Sequence, residues 1–90
     1  GVAAISDAYS FTIYPNPANE NFTVSFNTVE KETYTLQLKS VTGAVIYSEI
    51  VTGIADVYTK QIDATKYPKG IYFFRLADSK NELLRRLVVE

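Results

Sequence analysis

The sequence predicts an all-β fold: an immunoglobulin-like Greek-key β-sandwich of about seven antiparallel strands. Three observations carry this expectation. Apolar and polar residues alternate with period two over most of the chain, as in Phe22-Thr23-Val24-Ser25-Phe26. Turn-forming residues break the alternation roughly every 8–12 residues. No stretch spaces its apolar residues as a helix would. The cysteine pair and the tryptophan of true immunoglobulin domains are absent, so the strand order is left open.

Residues 1–8 are small and irregular and read as a linker or leader, with the domain spanning 9–90. Gly1-Val2-Ala3-Ala4 has neither a charged n-region nor a long apolar h-region and looks like the cut edge of a longer protein. A first strand places Tyr9, Phe11 and Ile13 on one face and Ser10 and Thr12 on the other. It stops at Tyr14-Pro15-Asn16-Pro17, where each proline removes a backbone donor and biases the residue before it toward extended conformations. The second strand sets Phe22, Val24 and Phe26 against Thr23, Ser25 and Asn27, and Val29-Glu30-Lys31-Glu32 makes a charged turn. Tyr34, Leu36 and Leu38 alternate with Thr35, Gln37 and Lys39 in the third strand, and Val41-Thr42-Gly43 turns the chain, Gly43 being free to take positive φ.

The fourth strand, Ala44 to Val51, is apolar on both faces near Val45-Ile46-Tyr47. A loop at Thr52-Gly53-Ile54-Ala55 leads to a fifth strand, Asp56 to Asp63, whose mixed polarity suits a sheet edge. Tyr67-Pro68-Lys69-Gly70 reads as a tight turn, with Pro68 suited to the second position and Gly70 to the fourth. It leads into Ile71 to Leu76, the most apolar run in the chain, which reads as a central strand buried on both sides. A hairpin loop at Asp78-Ser79-Lys80-Asn81 precedes the last strand, Glu82 to Val89, with Arg85-Arg86 inside it.

Ninety residues make one domain, and with 47% hydrophobic residues, including seven Tyr and five Phe, they can supply a core. Each fully buried Phe or Leu contributes about 1.5–3 kcal/mol. The net charge is −1 and the basic residues are scattered, which argues against nucleic acid as the main partner. No run of about eighteen apolar residues is present to insert as a membrane-spanning helix. Without cysteine there is no disulfide and no thiol nucleophile, and the compartment stays open. Without histidine there is no Ser-His-Asp triad and no imidazole metal site. An enzyme is therefore not expected, nor is a cofactor or a metal.

The remaining candidates each carry an ordinary alternative. Asn21-Phe22-Thr23 matches the glycosylation sequon, a three-residue pattern common by chance. Glu30, Glu32, Asp56, Asp63 and Asp78 fall in or beside turns, where acidic residues make local hydrogen bonds, and no D-x-D-x-D-G calcium loop is present. The tyrosines could line a sugar- or peptide-binding face, but Tyr9, Tyr34 and Tyr72 fall on strand faces that also suit the core. Arg85-Arg86 has two readings of equal weight: charge that protects an edge strand from open-ended pairing, or part of a terminal segment gripped by a receptor through strand addition.

Four stretches, taken in order, go further: Tyr14-Pro15-Asn16-Pro17, Leu36 to Gly43, Tyr67-Pro68-Lys69-Gly70-Ile71-Tyr72 and the basic-apolar last strand. Together they resemble the type A C-terminal sorting domain of the type IX (Por) secretion system of Bacteroidota, over about Phe11 to Glu90. Matching positions are Pro15, Asn16 and Pro17 in the first motif, Leu38 and Gly43 in the second, and Pro68, Gly70 and Tyr72 in the third. The resemblance implies a secretion signal that directs a cargo through the periplasm to the outer-membrane translocon and its shuttle components. A sortase-like cysteine peptidase then removes the domain, in or before residues 1–8, and leaves the cargo at the outer-membrane surface or outside the cell. The terminal segment Arg85, Arg86, Leu87, Val88, Val89 and Glu90 is the expected recognition element. Two departures stand out: Ser40 replaces the aspartate usual three residues before the motif glycine, and Glu90 stands where basic or amide residues are common. The competing reading is a non-catalytic accessory module, fibronectin-like or carbohydrate-binding, although a carbohydrate module would more often expose tryptophan.

Overall fold

The computed structural model describes residues 10–90. The expected leader at residues 1–8 and the place of Tyr9 lie outside the described residues. Seven strands follow in order: β1 (Thr12–Tyr14), β2 (Asn21–Asn27), β3 (Thr33–Ser40), β4 (Val45–Thr52), β5 (Val57–Asp63), β6 (Gly70–Ala77) and β7 (Glu82–Val89). They form two antiparallel sheets, β1-β2-β5 and β4-β3-β6-β7. The chain changes sheet between β2 and β3, again between β4 and β5, and again between β5 and β6, while β3-β4 and β6-β7 are hairpins. This is an immunoglobulin-like Greek-key sandwich.

Period-two alternation explains the core. Phe22, Val24 and Phe26 point inward from β2, Tyr34, Leu36 and Leu38 from β3, Phe74 and Leu76 from β6, and Leu87 from β7, all essentially inaccessible to solvent. Rings meet edge to face across the layers, with centroids 6.2 Å apart for Phe22–Phe74 and 5.3 Å for Phe26–Tyr34. That geometry is favourable for aromatic quadrupoles. Of the tyrosines expected on strand faces, Tyr34 and Tyr72 are buried. Tyr47, Tyr58 and Tyr67 are part-buried against the core, so no exposed tyrosine platform forms among the described residues.

β6 is central, as its composition implies, but it is not buried on both sides. Its inner face is closed, while Ile71 (42% exposed) and Phe73 (37%) lie on an open outer face. The reason is architectural: each sheet has only one other sheet to cover it. β4 differs for the same reason, with Val45, Ile46 and Ile50 exposed. A register shift between Leu38 and Lys39 inserts Ile46 as an extra residue opposite β3. Residues 64–66 form a 3-10 turn that strand reasoning does not show. Its signal is Asp63-Ala64-Thr65, since Asp63 Oδ1 accepts a hydrogen bond from Thr65 N at 3.0 Å.

The β2–β3 and β4–β5 loops are tied together away from these turns. Buried Thr28 donates from Oγ1 to Asp56 O (2.7 Å) and accepts from Ile54 N (3.0 Å). Gly53 sits so close that a Cβ there would lie 1.8 Å from Val29 O. The two open flanks of the sandwich each receive an inward-pointing charge, a device that discourages edge-to-edge pairing. On the β7 flank, Arg85 stacks over Phe11, 5.5 Å from the ring centroid. On the β4/β5 flank, Glu49 accepts hydrogen bonds from Tyr47 Oη and, at 2.7 Å, from Tyr58 Oη.

Candidate recognition site

The three motifs and the end of β7 meet at one end of the sandwich, and strand register puts them there. Ser40 is opposite Tyr72, Tyr72 is opposite Leu87, and Gly70 is opposite Val89. The pairing of Asn21 with Asp63 brings the β1–β2 corner and the β5–β6 connection to the same end.

The first motif clasps the last strand. The Tyr14–Pro15 and Asn16–Pro17 peptide bonds are both cis. Asn16 Nδ2 donates to Arg86 O at 2.8 Å, and Asn16 Oδ1 accepts from Val88 N at 3.0 Å. A carboxamide carries the same donor and acceptor as a peptide group, so the side chain acts as one residue of a neighbouring strand. Ala18 continues the pairing: its N donates to Val88 O (2.7 Å), and Glu90 N donates to its O (2.8 Å). A strand turns alternate residues to opposite sides, and Arg86, Val88 and Glu90 are the ones that face away from β6. The edge of β7 is therefore occupied over residues 86–90.

The second and third motifs build corners. Leu38 is a core residue opposite Phe74. Gly43, at φ +89°, closes the β3–β4 turn and donates to Ser40 O at 2.9 Å. Ser40 Oγ accepts from Ala44 N at 3.3 Å, so the hydroxyl takes the capping role that an aspartate could fill. Gly70 opens β6 at φ +151°, where side chains are strained. Tyr72 is buried and its Oη donates to Pro68 O, four residues upstream. This is the tyrosine-corner arrangement of Greek-key sandwiches.

The terminal residues do not share a surface. Leu87 and Val89 point into the core, and Arg85 is half-buried over Phe11. Arg86 and Glu90 are exposed, and Val88 is half-buried on the outer face of the sheet. Asn21 of the sequon is exposed at the start of β2.

Sequence reasoning missed the group around Glu49. Tyr47 lies two residues away on the same face of β4, a detectable spacing, but Tyr58 and Lys60 come from the other sheet. Lys60 Nζ stands 3.8 Å from Glu49 Oε1. Burial pushes the Glu49 pKa up, but the hydrogen bonds from Tyr47 and Tyr58 and the charge of Lys60 outweigh it, and the net shift is downward. Burial, then the bond to Glu49, pushes Tyr58 up to about 12, and the same causes raise Tyr47. The group links two edge strands and lines part of a shallow depression with Asp63 and Tyr67. A second shallow cleft, about 220 Å³, lies at the opposite end beside Thr28 and Tyr34. Among the described residues no three His, Cys, Asp or Glu side chains cluster to hold a metal, and no helix is long and apolar enough to cross a membrane.

The fold and this end together define a class: a β-sandwich module of immunoglobulin-like topology whose signature residues build one end of the sandwich around its last strand. Residues 12–90 match the family described as the secretion system C-terminal sorting domain, and the chain belongs to that family. Its members are the C-terminal sorting signals of type IX secretion, which implies export to the outer-membrane surface or the extracellular space. A search of curated proteins gave no match.

Proposed function

We propose that this domain carries a cargo through the periplasm to the type IX outer-membrane translocon and its shuttle components, and that a sortase-like cysteine peptidase then removes it in or before residues 1–8. The domain is the substrate of both steps and supplies no catalysis. Pro15, Asn16, Pro17, Leu38, Gly43, Pro68, Gly70 and Tyr72 shape the end that is read. Arg86, Val88 and Glu90 offer the accessible part of the last strand, while Arg85, Leu87 and Val89 hold that strand in place. The supporting observation is the clasp between Asn16 and the β7 backbone, which links the first motif to the terminal segment.

The test is a fusion of residues 1–90 to the C-terminus of a fluorescent protein bearing an inner-membrane export signal. It is expressed in a Bacteroidota host with and without a working type IX translocon. The expected result is reporter at the surface or in the medium only when the translocon works, with the tag removed in a host that has the peptidase and retained in one that lacks it. A reporter that stays in the periplasm of both hosts favours the accessory-module reading.

A further inference from the structure

We propose that the outer face of the β4-β3-β6-β7 sheet is a docking surface for an acidic protein, centred on Phe73 between Lys39 and Arg86; the proposal rests on the sorting function above. Register places the three in one row, because Lys39 and Arg86 are the partners of Phe73 on the two adjacent strands. Adjacent strands lie about 4.8 Å apart, so the ring stands directly between two cations. Val45 extends the row on β4, and Ile71 and Leu84 add exposed apolar surface beside it.

The other sheet exposes large apolar residues only on its edge strands, Tyr14 on β1 and Val57 on β5, and none on its central strand. On its outer side β2 presents Asn21, Thr23, Ser25 and Asn27, a polar layer of the kind solvent favours. The β4-β3-β6-β7 face instead exposes large apolar residues at its centre, and three of the four charged residues within its strands are cations, with Glu90 just beyond β7, on a chain of net charge −1. The one anion within the strands, Glu82, is already paired with Arg75 at 2.5 Å. Among the described residues Lys39 and Arg86 have no carboxylate in an ion pair. An aromatic residue beside arginine is typical of the energetic centre of protein interfaces, and the two unneutralised cations call for carboxylates on the partner.

The test uses the reporter fusion in the translocon-competent host. The double variant Lys39→Glu/Arg86→Glu and the single variant Phe73→Ser are each expected to lower exported reporter at least about tenfold. Circular dichroism and the melting temperature of each purified domain confirm folding. If charge reversal melts the domain, Lys39→Gln/Arg86→Gln replaces it with the same expectation. Lys80→Glu, half that charge change and placed in the β6–β7 loop, is expected to export normally. Normal export of folded face variants overturns the docking surface alone. Loss with the charge variant but not with Phe73→Ser also overturns it, since a purely electrostatic contact points to an anionic lipid or polysaccharide. Failure of the unmodified domain to export the reporter refutes the sorting function, and this proposal with it.

Discussion

Replacing Asn16 by alanine tests whether the first motif acts through the last strand. The substitution removes two hydrogen bonds, to Arg86 O at 2.8 Å and from Val88 N at 3.0 Å. Each is worth about 0.5–1.5 kcal/mol net, and both are solvent-exposed, so the combined loss is about 1.5 kcal/mol, toward the lower end of that range. For a domain of this size 1 kcal/mol corresponds to about 4–8 °C, which gives an expected fall in Tm of about 6–12 °C. Asn16→Asp keeps the acceptor for Val88 N but sets a carboxylate against the Arg86 carbonyl. It should cost at least as much at neutral pH and recover in part once the carboxyl is protonated, below about pH 4. Thermal unfolding by circular dichroism reads the loss, and amide hydrogen exchange at Val88 locates it. A Tm within about 2 °C of the parent, with unchanged Val88 exchange, would refute the clasp.

Further predictions follow from other parts of the fold. Gly53→Ala places a Cβ 1.8 Å from Val29 O, so the backbone must move; a loss of about 3 kcal/mol should appear in urea unfolding. Tyr72→Phe keeps the ring and removes the bond to Pro68 O, and should lower stability by about 1–2 kcal/mol, with a chemical-shift change at Gly70 by NMR. Deleting residues 85–90 removes the buried Leu87 and Val89, worth about 3–6 kcal/mol together. Against a total stability of roughly 5–15 kcal/mol this is a large share, so the truncated domain should melt well below the parent, and an unchanged Tm would contradict this. The folded-state pKa of Glu49 lies below its ordinary value of 4.5, so its contribution is complete above that pH and is lost as pH falls through the folded value. Tyr58 shifts from 10.0 up to about 12, so its contribution holds below pH 10 and drains as pH rises toward 12. Glu49→Gln should remove the Glu49 share of the acid limb of the Tm-versus-pH curve and reduce the alkaline limb without abolishing it, because burial is the first cause of the Tyr58 shift.

The inner faces were legible because alternation is local. Phe22, Val24 and Phe26, or Tyr34, Leu36 and Leu38, declare their side of the sheet within five residues. The outer face was not. Ile71 and Phe73 in β6, like Val45 in β4, look like residues of a doubly covered strand, because composition does not distinguish apolar surface kept for the core from apolar surface left open. A two-layer fold leaves one face of every strand uncovered, and only topology reveals which. The corners were legible as turns from Pro15, Pro17, Gly43 and Gly70. The role of Asn16 was not, because its partners lie 70 and 72 residues away and no local rule reaches that far. The Glu49 group was hidden for the same reason: half of it arrives from the other sheet.

The span of the Asn16 contacts also bears on the order of folding. Contacts separated by this much chain incur a large loop-closure entropy and, lacking local support, form late. They require β6 to be in place, since β7 has no other strand to pair with. The clasped end is thus absent from a chain whose synthesis stopped before β7, from one clipped within β6, and from one whose sheets have not closed. A partner that binds this end would engage only molecules that are both complete through β7 and folded, so on the proposed reading one geometry would serve as address and as certificate that the module behind it is finished.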